Sequence, residues 1–121
     1  MSSEETLNLQ LRLKIRLENG TIGPGKIALL EHVEKEGSIS AAGRALGVPF
    51  RRAWLLIETL NQALGRPVVQ TTQGGRSGGG AKLTPLGARV VALYRGAQAQ
   101  TDALRVELRE SLARALDAPD S

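Results

Sequence analysis

At 121 residues, 41% of them hydrophobic, the chain is long enough to bury one core and too apolar to be disordered by composition. It contains no cysteine, which excludes a disulfide framework, a thiolate metal site and a cysteine nucleophile, and no apolar run approaches the roughly 20 residues of a membrane span. The formal charge of +4 is unevenly spread: residues 37–95 carry eight bases against one acid, +7, and the remainder eight against eleven, −3, the footprint expected of a surface that meets a polyanion or, more blandly, of solvated arginines.

Met1–Thr6 is acidic and polar, without the basic stretch and apolar run of a secretory signal, so a soluble cytoplasmic protein is expected. Leu7, Leu9, Leu11, Leu13, Ile15 and Leu17 then alternate with polar residues, a period of two that predicts a strand with one apolar face. Asn19-Gly20 and Gly23-Pro24-Gly25 break it with turn chemistry. A helix is predicted from about Gly25 to Glu36, with Ile27, Leu30 and Val33 on one stripe and Gly37 as its stop. His32 is the only histidine and has no second ligand of its kind, so it reads as a boundary residue.

A short helix from Ser40 to Leu46 follows, capped by Ser38 or Ser40 and ended by Gly47. The third helix spans Pro49 to about Leu64, with Ala53, Leu56, Ile57, Leu60 and Leu64 facing inward. Val68–Gln73 and Ala81–Leu83 read as two strands around the glycine-rich loop at 74–80. Thr84-Pro85 opens a last helix that runs to about Leu116, roughly 48 Å long. Its apolar or small residues, Leu86, Val90, Leu93, Ala97, Thr101, Leu104, Leu108, Leu112 and Ala115, make one stripe too long for so small a domain to cover. Self-association through Leu104, Leu108 and Leu112 is the expected remedy.

The second and third helices satisfy the requirements of a helix-turn-helix. Ala42 and Gly43 provide a small crossing, Gly47 the tight turn, and Leu46 and Val48 its apolar flanks. That register turns Phe50, Arg51, Arg52 and Leu55 toward a DNA major groove, where guanidinium groups bridge guanine acceptors or clamp phosphates. Ser38 and Ser40 precede them as further candidate DNA-binding residues, and Arg76, Ser77 and Lys82 place polar and basic groups on a wing-like hairpin. Phe50 is positioned to touch a thymine methyl. Trp54, next to inward-facing Ala53, is expected as a buried anchor between its helix and the wing or first helix, with base contact as the alternative. The glycine-rich loop is not a nucleotide phosphate loop, because no Gly-Lys-Ser/Thr follows it and no helix begins there.

Several stretches together resemble the N-terminal DNA-binding domain of the ModE family of molybdate-responsive transcriptional regulators. They are Gly37-Ser38-Ile39-Ser40-Ala41-Ala42, Leu46-Gly47-Val48, Arg52-Ala53-Trp54, Leu60-Asn61, the glycines from Gly74 to Gly80, and Leu83-Thr84-Pro85-Leu86-Gly87. The serine-containing turn is shared with LysR-type regulators; its combination with the Ala-Trp pair, the wing and Leu-Thr-x-x-Gly is more specific. The resemblance spans roughly residues 7–100. It implies a homodimeric winged helix that binds double-stranded DNA near genes of molybdenum uptake or metabolism. The family's C-terminal molybdate-binding domains have no counterpart in these 121 residues, so direct molybdate binding is not expected of them.

The expected fold is mainly α with a small antiparallel sheet: a winged helix-turn-helix over residues 1–84 and a dimerisation helix with a frayed tail over 85–121. No cofactor, metal or membrane partner is expected. With one histidine, no cysteine and no paired carboxylates in an apolar setting, no catalytic set can be assembled, and an enzyme is not expected. The alternatives are a LysR-like domain with unrelated targets and a winged helix that serves only as a protein-interaction module.

Overall fold

The computed structural model describes residues 7–72 and 79–119. The elements run β1 (Ile15–Leu17), β2 (Gly20–Ile22), α1 (Pro24–Glu36), α2 (Ile39–Leu46), α3 (Phe50–Leu64), β3 (Val69–Thr72), β4 (Gly80–Leu83) and α4 (Pro85–Asp117). The chain divides into two compact units, Lys14–Tyr94 and Met1–Leu13 with Arg95–Ser121.

In the first unit, local sequence explains each boundary. Pro24 occupies the first turn of α1, where its missing N–H leaves no hydrogen bond unmade, and Gly37 closes the helix with its N–H on the Val33 carbonyl at 2.9 Å. Ser38 caps α2, its Oγ accepting from the Ala41 N–H at 3.0 Å. Pro49 precedes α3 in extended geometry and so forms the cap of that helix rather than its first residue. Thr84 caps α4, accepting from the Gly87 N–H at 3.0 Å.

Helix α1 packs on α2 and α3, and α2 on α3, with Ile27, Leu30, Val33, Ala42, Ala53 and Leu60 fully buried among them. With aromatics so scarce, this is a core of aliphatic side chains. Tyr94 is the exception: it is buried near the start of α4 together with Val90, whereas Leu93, expected on the inward stripe, is 74% exposed.

Two antiparallel hairpins complete this unit. β3 and β4 pair from Val69 opposite Leu83 to Thr72 opposite Gly80, forming the wing. The wing is tied to α1 by the Ala81 N–H on the Gly37 carbonyl at 2.8 Å and by the Leu83 N–H on Glu34 Oε2 at 2.9 Å. The other hairpin departs from the sequence reading. Of the alternating stretch from Leu7, only Ile15–Leu17 enters a ladder, and its partner Gly20–Ile22 was not expected as a strand, Gly20 having read as part of a turn. A ladder needs a partner of equal length, and only three residues lie between the Glu18-Asn19 turn and Gly23.

In the second unit, Leu7, Leu9, Leu11 and Leu13 keep their period of two, half-buried between exposed polar neighbours. Along α4 here, Gln98, Thr101, Arg105 and Arg109 are half-buried and Ala113 is buried, at helical steps of three and four. Leu104, Leu108, Leu112 and Leu116 lie outside that covered row, 36–63% exposed.

Candidate nucleic-acid interface

Two local devices set the angle between α2 and α3. Gly47 takes the left-handed conformation at φ 70°, which an L side chain rarely adopts, and reverses the chain in one residue. The Val48 N–H then donates to the Gly43 carbonyl at 2.8 Å, so the turn folds back onto the helix it has just left. A Cβ on Gly43 would lie 2.6 Å from the Val48 carbonyl oxygen, and only glycine lets the turn approach this closely.

With Ala53, Ile57 and Leu60 buried, α3 turns Phe50, Arg51, Trp54 and Leu55 to solvent at spacings of one and four residues. Arg52 is exposed on the adjoining flank. Arg51, Arg52 and Leu55, with Pro49, Leu56 and Thr59, line a shallow depression of about 430 Å³. The exposed surface of α3 therefore carries two guanidinium groups beside an apolar patch, and Glu58 is the only acid on the helix. Such a surface supplies donors for base-edge acceptors and for phosphates.

The other candidate residues fall around it. Ser40 is half-buried at the start of α2, and Ser38, also half-buried, is engaged as its cap. Lys82 is exposed on β4. Arg76 and Ser77 lie outside the described residues. Leu104, Leu108 and Leu112 belong to the second unit and are 47%, 36% and 44% exposed.

Trp54 corrects the sequence reading, because it is 45% exposed and does not serve as a buried anchor. With Phe50, 54% exposed one turn earlier, it borders a second groove of about 270 Å³ facing the wing residues Thr71, Thr72 and Gly80. Sequence reasoning did not find this groove. The Phe50/Trp54 spacing of four residues was the available signal, but its meaning depended on where the wing lay.

The wing is positioned against α3 by Asn61, whose Oδ1 accepts from the buried Val68 N–H at 2.8 Å. Among the described residues, no group of three or more His, Cys, Asp or Glu side chains is placed to hold a metal ion. No helix among them is long and apolar enough to cross a membrane.

Residues 25–88 match the family described as "Bacterial regulatory helix-turn-helix protein, lysR family". The chain is 38% identical over 104 residues to the molybdenum transport protein ModE of Azotobacter vinelandii, covering 85% of this chain and 36% of that protein. It is 38% identical over 91 residues to the molybdenum-pterin-binding protein MopB of Rhodobacter capsulatus, covering 75% and 34%. It is 36% identical over 94 residues to the DNA-binding transcriptional dual regulator ModE of Escherichia coli K12, covering 78% and 34%. The chain thus spans about a third of the length of these relatives. The match from α1 through the wing to the start of α4 takes in both helices of the turn, and the chain belongs to the lysR-type family of bacterial regulatory helix-turn-helix proteins.

Proposed function

We propose that this chain binds double-stranded DNA as a homodimer and regulates transcription of genes for molybdenum uptake or metabolism. The observation that carries the reading is the exposed start of α3: Arg51 and Arg52 stand clear on a helix fixed by the Gly43–Val48 turn, inside the +7 block. The gene class is inferred from the ModE relatives. In this reading α3 enters the major groove, Arg51, Arg52, Phe50 and Leu55 meet base edges, and Ser40, Lys82 and the wing meet the sugar-phosphate backbone.

The dimer reading rests on Leu104, Leu108 and Leu112, which recur every four residues and are left exposed. Each contributes about 1.5–3 kcal/mol if a second copy covers it fully, before ordering costs. A two-fold pair presents two recognition helices, so the preferred site is an inverted repeat with half-sites about one DNA turn, or a multiple of it, apart.

Selection from random duplexes, followed by titration of the recovered site, tests the proposal. If a dimer neutralises about six phosphates, log affinity falls with log salt at a slope on the order of −5. Arg51→Ala or Arg52→Ala relaxes sequence preference, with a loss of ~1–3 kcal/mol for a bidentate base contact, whereas Lys82→Ala weakens all duplexes alike. No enriched sequence and no salt dependence would refute DNA binding; an enriched sequence remote from molybdenum genes would refute the target class alone.

A further inference from the structure

The groove between α3 and the wing has a composition unlike that of the arginine face. One wall is aromatic, Phe50 and Trp54, and the opposite side is the wing edge, Thr71, Thr72, Gly79, Gly80 and Ala81. Ser38, Ile39 and Ser40 also line it. Among the described residues, no lysine, arginine, asparagine or glutamine lines it. The described lining thus carries none of the side chains that read base edges by bidentate hydrogen bonds. It offers hydroxyls, backbone and the two aromatic rings instead.

A deoxyribose–phosphate segment has matching chemistry: an apolar sugar face that packs on a ring, and oxygens that accept from hydroxyls and main-chain N–H groups. Arg51 and Arg52, on the same end of α3, supply positive charge beside the groove. The exposure of the two aromatics also needs an explanation. The chain has only three aromatic residues, and two of them are left about half in water. Covering them recovers apolar area that the isolated fold leaves unburied.

We propose that the Phe50–Trp54 groove holds a sugar-phosphate segment of one DNA strand, with Trp54 as its apolar wall. Trp54 then sets how deeply α3 seats, and Arg51 and Arg52 read sequence from the adjoining face. This rests on the DNA-binding reading and revises it at Phe50: the aromatic face positions the backbone and does not recognise bases.

Trp54 is the only tryptophan, so its emission reports the groove directly. Three duplexes serve as probes: the selected site, an unrelated sequence of equal length, and the selected site with uracil in place of thymine. The expected results are that each duplex changes Trp54 emission and shields it from acrylamide, and that Trp54→Ala weakens the first two by the same factor, on the order of tenfold. Trp54→Phe restores most of that loss, and the uracil duplex binds the wild type like the thymine one. Emission unchanged on binding overturns the proposal. So does a Trp54→Ala loss confined to the selected site, or a uracil penalty that disappears in Trp54→Ala, since both place the ring on a thymine methyl. Failure of the wild type to bind any duplex, read by anisotropy of a labelled strand, refutes the DNA-binding reading and this proposal with it. Far-UV circular dichroism of both variants separates lost contact from lost fold.

Discussion

Two glycines in α4 are expected to respond to alanine with opposite signs. Alanine is favoured over glycine in a helix interior by about 1 kcal/mol, so propensity alone makes both Gly87→Ala and Gly96→Ala stabilising. At Gly96 nothing among the described residues lies within 4 Å of the new methyl, and the propensity gain of ~0.5–1 kcal/mol should appear undiminished. At Gly87 the methyl would sit 2.1 Å from the Val68 carbonyl oxygen and 3.0 Å from its carbon. Both are backbone atoms, so relief requires α4 and the start of β3 to separate by roughly 1 Å.

That separation acts on a shared set of hydrogen bonds. The same Val68 carbonyl accepts from the Thr84 N–H at 3.0 Å, and Thr84 Oγ1 donates to the Pro67 carbonyl at 2.8 Å while accepting from the Gly87 N–H. Losing two such bonds costs ~0.5–1.5 kcal/mol each, and the cap is worth about 1 kcal/mol. Because these overlap with the overpacking cost of ~1–3 kcal/mol, the net expectation for Gly87→Ala is a loss of ~2–4 kcal/mol. Urea unfolding followed by circular dichroism measures both variants, and the thermal midpoint of Gly87→Ala should fall by about 10 °C. A Gly87→Ala protein as stable as the wild type, or more so, refutes the close approach of α4 to Val68.

Asn61→Ala leaves the buried Val68 N–H without its acceptor and should cost ~1–3 kcal/mol, with faster hydrogen exchange at Val68; unchanged exchange refutes the tie between α3 and the wing. The Lys26 ammonium, whose Nζ donates to the Thr21 carbonyl at 2.9 Å, is held below lysine's usual 10.5 by partial burial and then by the charge of Lys14. A lysine depressed in the folded state penalises folding while it is charged, and that penalty is relieved as pH rises through the folded pKa toward 10.5; Lys14→Gln should therefore raise the Lys26 pKa and the neutral-pH stability together, read by NMR titration and thermal unfolding. Charging both Leu104 and Leu108 to glutamate should abolish self-association and lower DNA affinity while the unit Lys14–Tyr94 stays folded; sedimentation showing an unchanged dimer, or a monomeric wild type, removes those leucines from the interface.

What was legible in the sequence follows from the range of the forces involved. Ser38, Gly47 and Thr84 act on backbone within a few residues of themselves, and each has the cap or turn role its local sequence indicates. β2 was not legible, because Gly20-Thr21-Ile22 has no strand pattern of its own and becomes a strand only opposite Ile15–Leu17. The exposure of Trp54 was likewise set at long range. Its place beside Ala53 fixes a helical angle, but whether that angle is covered depends on how the wing is held by Asn61, Glu34 and Gly37. The arginine pair was readable because long cationic side chains at the start of an amphipathic helix have few places to go but solvent.

The last helix shows the same division inside a single stripe. Read by period alone, Leu86 through Ala115 is one apolar row, yet the row from Gln98 through Thr101, Arg105 and Arg109 to Ala113 is the covered one. Arginine can pack its methylene stem at such a position, but at Arg109 the guanidinium Nε is itself buried without a hydrogen-bond partner among the described residues. Leu104, Leu108, Leu112 and Leu116 are left in water on the other side of that row. This is the reverse of the amphipathy that a single copy would favour, since exchanging the two rows would bury the leucines and free the arginines. An arrangement that is uphill for one chain becomes favourable when a second chain covers the leucines. The covered arginine row is thus a stronger argument for a partner than leucine periodicity, which an ordinary core also produces.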